Sequence, residues 1–196
     1  MRKPRLPKNF KIGTYLPTDG IINRIRVTDA AKALERFFGE YFYGVSTLKN
    51  KTRASSTDTV YIAGEYTAYL FRCLFDAIFI GRVIDITISN SDKEFWICFA
   101  LRTKYRLEDT AKYEKLLDAA KQACFQVSFI GNGIILSAPI MHGSCYLAAL
   151  SVEGLYEKFV RVFFSPSIEE YFAAAQSDEA STESKNEEDT ITQQNE

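Results

Sequence analysis

Between Thr59 and Leu101 the hydrophobic period changes twice, and no other stretch constrains the fold as tightly. TVYIAG alternates as a short strand. EYTAYLFRCLFDAIFIG then spaces its apolar residues as a helix does and stops at Gly81, a residue suited to ending one. VIDITISNSDKEFWICFAL returns to period two and is split by the polar SNSDK, which predicts a β-hairpin. At roughly 100° per residue, Tyr66, Tyr69, Leu70, Cys73, Leu74 and Ala77 form one stripe, expected to face a sheet. Phe71, Phe75 and Phe79 form a second, and a helix apolar on two sides is covered on both. Asp76 lies at the edge of the first stripe with Arg72 one turn before it, which predicts an i,i+4 ion pair at the rim of the core.

The flanking sequence supplies more elements of both kinds. Ile21 to Val27 reads as a strand, and Thr28 can cap a helix that starts at Asp29 and runs through AAKALERFFGEYF. KNKTRASSTD reads as a polar connection. TAKYEKLLDAAKQACF has helical spacing, with Tyr113, Leu116, Leu117 and Ala120 on one face. QVSFI, GNG and IILSAPI form a second hairpin pattern. Ser144 to Ser151 adds a further strand candidate, Glu153 to Phe164 a helix, and Ile168 to Ala175 a short helical stretch.

Domain organisation follows from length and charge. The 196 residues suit one α+β domain over 21–175, preceded by an extended basic arm over 1–20 and followed by an acidic tail over 176–196. The arm carries Arg2, Lys3, Arg5, Lys8 and Lys11 with no acid before Asp19. Ser177 to Glu196 holds seven acids and only Lys185, with too little apolar surface to offset the entropy of ordering, so disorder is expected there. Without those twenty residues the chain has 23 basic and 18 acidic side chains, an excess too small to predict nucleic-acid binding. Cys73, Cys98, Cys124 and Cys145 form no CxxC pair and read as reduced, buried thiols. The basic start has no apolar run behind it, and the longest apolar stretch is too short for a bilayer. A cytoplasmic protein is expected, with no membrane contact.

The order strand, helix with a polar residue near its end, hairpin, helix, terminal hairpin resembles the GHKL, or histidine-kinase-like, ATPase domain of bacterial sensor kinases. The resemblance covers approximately Asp58 to Ile140. It implies a two-layer α/β sandwich with a mixed, mostly antiparallel sheet. It also implies that RCLFDA, Arg72 to Ala77, stands where that family writes NLxxNA, so that Asp76 takes the place of the magnesium-binding Asn. A carboxylate can also hold magnesium. The glycine-rich nucleotide motifs of the family have no counterpart: EFWICFAL leads into RTKYRLED and then TAKYEKLLDAAKQ, with no DxGxG and no room for a lid. The resemblance therefore implies the scaffold with a degenerate nucleotide site.

Other chemistry is thinly supported. His142, the sole histidine, lies beside Pro139 and Gly143 and reads as structural or surface, and its spacing to Cys145 suits no catalytic pair with an orienting acid. Four scattered cysteines and one histidine give no zinc spacing. GNG lacks the lysine and helix of a phosphate loop. Phe95, Trp96 and Phe99 are not interleaved with basic residues and read as sheet packing. The expected function is a non-catalytic signalling or regulatory protein that acts by protein contacts, with a protein partner or a second copy, and with no cofactor or metal. Its interaction surface is expected at Phe71, Phe75 and Phe79 or at Tyr156, Phe159 and Phe163, unless these two stripes cover each other. The alternative is a divergent kinase or ATPase that binds ATP and Mg through Asp76.

Overall fold

The computed structural model describes residues 22–42, 44–79, 81–102, 113–143 and 150–165. The arm, the tail, the strand candidate at Ser144 and the helical stretch from Ile168 lie outside the described residues. Strand β1 (Ile22–Arg26) leads directly into helix α1 (Val27–Tyr41), followed by β2 (Val45–Asn50) and β3 (Thr59–Ala63). Helix α2 (Gly64–Leu74) continues into a π-turn over Phe75–Phe79. The hairpin β4 (Ile84–Asn90) and β5 (Glu94–Leu101) precedes α3 (Glu114–Gln122). A second hairpin, β6 (Gln126–Ile130) and β7 (Gly133–Met141), precedes α4 (Val152–Phe163).

The strands form one sheet in the order β1-β3-β7-β5-β4-β2, with β6 also paired to β7. Only β2 and β4 run parallel, so the sheet is mixed and mostly antiparallel as expected. Alternation sets its two faces. Ile84, Ile86, Ile88, Phe95, Ile97, Phe99, Ile134 and Leu136 are fully buried under the helices, while Thr87, Trp96, Cys98 and Ser137 on the other face are only half-buried. Among the described residues no helix is long and apolar enough to cross a membrane.

Two predicted boundaries shift for tertiary reasons. Helix α1 begins at Val27 rather than Asp29, because the Val27 amide donates to Asp58 O at 3.0 Å and needs no cap from Thr28. Strand β2 replaces the start of the polar connection, pairing with β4 from Val45 to Asn50. Gly44 makes that entry possible: its φ is +75°, and a Cβ there would stand 2.2 Å from the Arg82 carbonyl oxygen.

The helix layer is zipped by aromatic rings, and its arrangement corrects the expected interaction surface. Phe71 lies 5.8 Å from Phe37, 4.9 Å from Phe38 and 5.6 Å from Phe159 between ring centroids. Phe163 lies 5.3 Å from Phe37, and Phe79 lies 5.2 Å from Phe99 of the sheet. Phe71, Phe79, Tyr156, Phe159 and Phe163 are therefore buried, and Phe75 is half-buried against Phe42 and Phe163. The two stripes cover each other, with α1 contributing the rings between them. The other stripe of α2 is split in consequence: Leu70 and Leu74 reach the core, Tyr66, Tyr69 and Cys73 are half-buried, and Ala77 is exposed.

Candidate functional site

The site begins with the last turns of α2. An extra residue per turn in the π-segment lets Ile78 and Phe79 enter the core while Asp76 and Ala77 stay in solvent. Gly81, at φ +71°, then ends the element as the sequence predicts. Arg72 sits one turn before Asp76. Its Nε donates to Asp76 Oδ2 at 2.9 Å, and its Nη1 donates to the Phe163 carbonyl oxygen at 2.9 Å. That carbonyl belongs to the end of α4, where the final acceptors lack partners within the helix and a cation is favourable. The i,i+4 pair is as expected, and the anchor on α4 is additional.

Beside this pair runs a groove of about 310 Å³. Tyr69, Arg72, Cys73, Asp76 and Ala77 form the α2 wall, and Lys115 and Leu116 of α3 form the other. Its lining is mainly apolar, with Arg72, Asp76 and Lys115 as its charged members. Glycine contributes nothing to it, and the sequence contains no glycine between Gly81 and Gly131. Backbone approach to a phosphate group is thus not provided by glycine in this half of the fold. Residues 103–112, which connect β5 to α3, lie outside the described residues.

Asp76 is 53 % exposed and Arg72 40 % exposed, so their pair lives in water and is worth little by itself. Its consequence for a metal is larger. A divalent cation on the Asp76 carboxylate would have to share it with the Arg72 guanidinium, a like charge that disfavours its binding. Among the described residues no group of three or more His, Cys, Asp or Glu side chains is placed to hold a metal.

The remaining polar clusters knit the structure. Glu65, nearly fully buried, pairs with Lys158 of α4 at 2.7 Å. Asp85 accepts from Thr47 at 2.7 Å and from Arg102 at 2.9 Å, and the Arg102 bond holds its carboxyl below the usual range. His142 Nδ1 lies 2.8 Å from Asp58 Oδ1. That hydrogen bond raises the imidazole pKa, with Asp92 adding in the same direction and slight desolvation opposing it. His142 therefore ties β7 to the loop before β3, a structural role. Cys145 lies outside the described residues.

Searches of known families and of curated proteins return no match. Solved structures do. The chain is similar to the catalytic domain of histidine kinase ThkA, at 9 % identity and TM-score 0.42, over 63 % of this chain and 98 % of that one. It is similar to the cytoplasmic segment of histidine kinase QseC, at 11 % identity and TM-score 0.40, over 62 % and 79 %. The Acinetobacter baumannii histidine kinase AdeS matches at 11 % identity and TM-score 0.37, over 63 % and 68 %.

Proposed function

We propose that this chain is a non-catalytic regulatory protein of the cytoplasm, built on a histidine-kinase-like ATPase fold and acting through contacts with a protein partner or a second copy. The observation that carries the reading is the state of Asp76. Asp76, which the family resemblance makes the candidate magnesium ligand, is engaged by Arg72, which is itself held by the end of α4. A glycine-free sequence from Arg82 to Ile130 supports the same reading, since the groove lacks the backbone freedom a triphosphate cradle uses. Burial of the two aromatic stripes means that partner contacts are made by other surfaces.

The groove itself favours a second reading, a divergent kinase or ATPase that binds ATP and Mg. It is open beside Asp76, and Lys115 faces it as a second cation able to meet phosphate. Calorimetric titration with ATP and magnesium separates the two. The expected outcome is no saturable heat in the wild-type chain. Saturable binding that disappears in Asp76→Ala overturns the non-catalytic reading and establishes the second.

A further inference from the structure

Connections from different parts of the chain meet at His142, at one end of the sheet. The residue follows Met141, the last of β7. Its Nδ1 lies 2.8 Å from Asp58 Oδ1, on the connection that enters β3. The ring also hydrogen-bonds to the backbone of Asp92, in the turn between β4 and β5. That bond favours the charged ring, so its acceptor is the Asp92 carbonyl oxygen. Two acceptors thus face one imidazole, a carboxylate from one element and a carbonyl from another.

The two partners are held unequally. Asp58 is fixed whatever the ring does: its Oδ2 accepts from the Ser55 amide at 2.8 Å, its own amide donates to Ser55 O at 3.1 Å, and its carbonyl accepts from the Val27 amide of α1 at 3.0 Å. Its side chain is 13 % exposed, against 60 % for His142. Asp92 stands at the tip of a turn in which Ser91, Asp92, Lys93 and Glu94 are all exposed. The Ser91 amide donates to Glu94 O at 2.8 Å, and the Ile140 amide of β7 to Lys93 O at 2.8 Å. These bonds hold the base of the turn, and the bond from His142 reaches its tip.

Protonation decides how many of these bonds the ring can make. An imidazolium donates from both nitrogens, whereas the neutral ring donates from one and presents a lone pair at the other. Between two acceptors the neutral ring keeps one bond and turns its lone pair on the remaining oxygen. The bond it keeps is the one to Asp58, because an ionised acceptor holds an N–H more strongly than a carbonyl does. Unperturbed histidine titrates at about 6.5, so the change falls near neutral pH. Among the described residues, the other charges around this end of the sheet are committed or solvated. Arg24 donates to Thr59 Oγ1 at 2.8 Å, Arg26 pairs with Asp29 at 2.5 Å, and Lys93 and Glu94 are exposed. Met141 and Gly143, the chain neighbours of the ring, carry no charge.

We propose that His142 is a proton-operated clamp: charged, it fastens the tip of the β4–β5 turn to the connection before β3, and neutral, it releases the turn while still holding Asp58. This end of the sheet then presents an ordered turn tip when the ring is protonated and a mobile one when it is not. The clamp is independent of whether the groove at Asp76 binds a nucleotide.

Nuclear magnetic resonance of the full-length chain, titrated from about pH 5.5 to about pH 8.5, provides the test. The imidazole nitrogen shifts are expected to show a neutral ring protonated at Nδ1, the nitrogen held by Asp58. With the same midpoint, backbone order parameters of residues 91–93 are expected to fall from about 0.85 to below about 0.6, while those of 55–58 stay unchanged. His142→Ala is expected to leave 91–93 mobile at every pH, and Asp92→Asn, which keeps the backbone acceptor, to preserve the response. The wild-type titration carries the test alone if a variant fails to fold. Order in 91–93 that does not change as the ring titrates overturns the proposal, and so does a neutral ring protonated at Nε2. Loss of the response in Asp92→Asn likewise overturns it, because the effect then belongs to the Asp92 carboxylate and not to the second bond of the ring.

Discussion

Helix α2 presents two unlike sides to the rest of the molecule. Toward α1, α4 and the sheet it places Leu70, Phe71 and Leu74 in contact with rings and aliphatic chains that exclude water altogether. Toward α3 it places Tyr69, Cys73 and Ala77 along a groove whose charged groups keep their solvent. The first side determines whether the chain folds. The second is left adjustable, because a residue in contact with water can change with little energetic consequence.

Substitutions on the two sides should therefore rank steeply. Phe71→Ala is expected to cost about 3–5 kcal/mol in chemical denaturation, the usual cost of a cavity among packed rings, whereas Tyr69→Ala should cost far less. A loss near 1 kcal/mol at Phe71 would show that the interior is not tightly packed. Lys158→Ala, which strands the buried Glu65 carboxylate, is expected to cost about 3 kcal/mol in the same measurement. Arg72→Ala should cost about 1 kcal/mol, mainly through the unpaired end of α4, while Asp76→Ala changes stability by less than about 0.5 kcal/mol. Equal effects at 72 and 76 would mean that the ion pair, and not the helix end, is what Arg72 serves.

The same contrast between dry interior and wet rim sets the smallest effect. The His142 pKa is raised by Asp58, so its contribution to stability is complete below the unfolded value of about 6.5 and fades as pH rises through the folded value. Denaturation midpoints should fall slightly between pH 6 and pH 8 in the wild type. His142→Gln should flatten that slope without lowering the plateau reached at pH 8. A slope that survives the substitution assigns the pH dependence to another group.

Much of this architecture was readable from period alone. Both hairpins, the stop at Gly81, the ends of α4 and the Arg72 to Asp76 spacing follow from local pattern, because neighbours in sequence are the partners that matter, whereas the change from α- to π-turns after Leu74 does not. Strand β2 was not readable: VSTLKN alternates weakly and its strand partner among the described residues arrives some forty residues later. The orientation of α2 was ambiguous for a related reason, since both of its stripes are apolar and the rings that decide between them are Phe37 and Phe38 of α1 and Phe42 just after it. The groove shows the same limit. Asp76 and Arg72 come from one helix, but Lys115 and the Phe163 carbonyl enter only through tertiary packing.

Strand β2 also has a consequence for how the chain is made. During synthesis at about 5–20 residues per second, residues 45–50 leave the ribosome some two to eight seconds before Ile84–Asn90, the partner they must lie beside. Through that interval the nascent segment has nothing to pair with, and Lys49 acts as a guard against pairing with a neighbouring nascent chain.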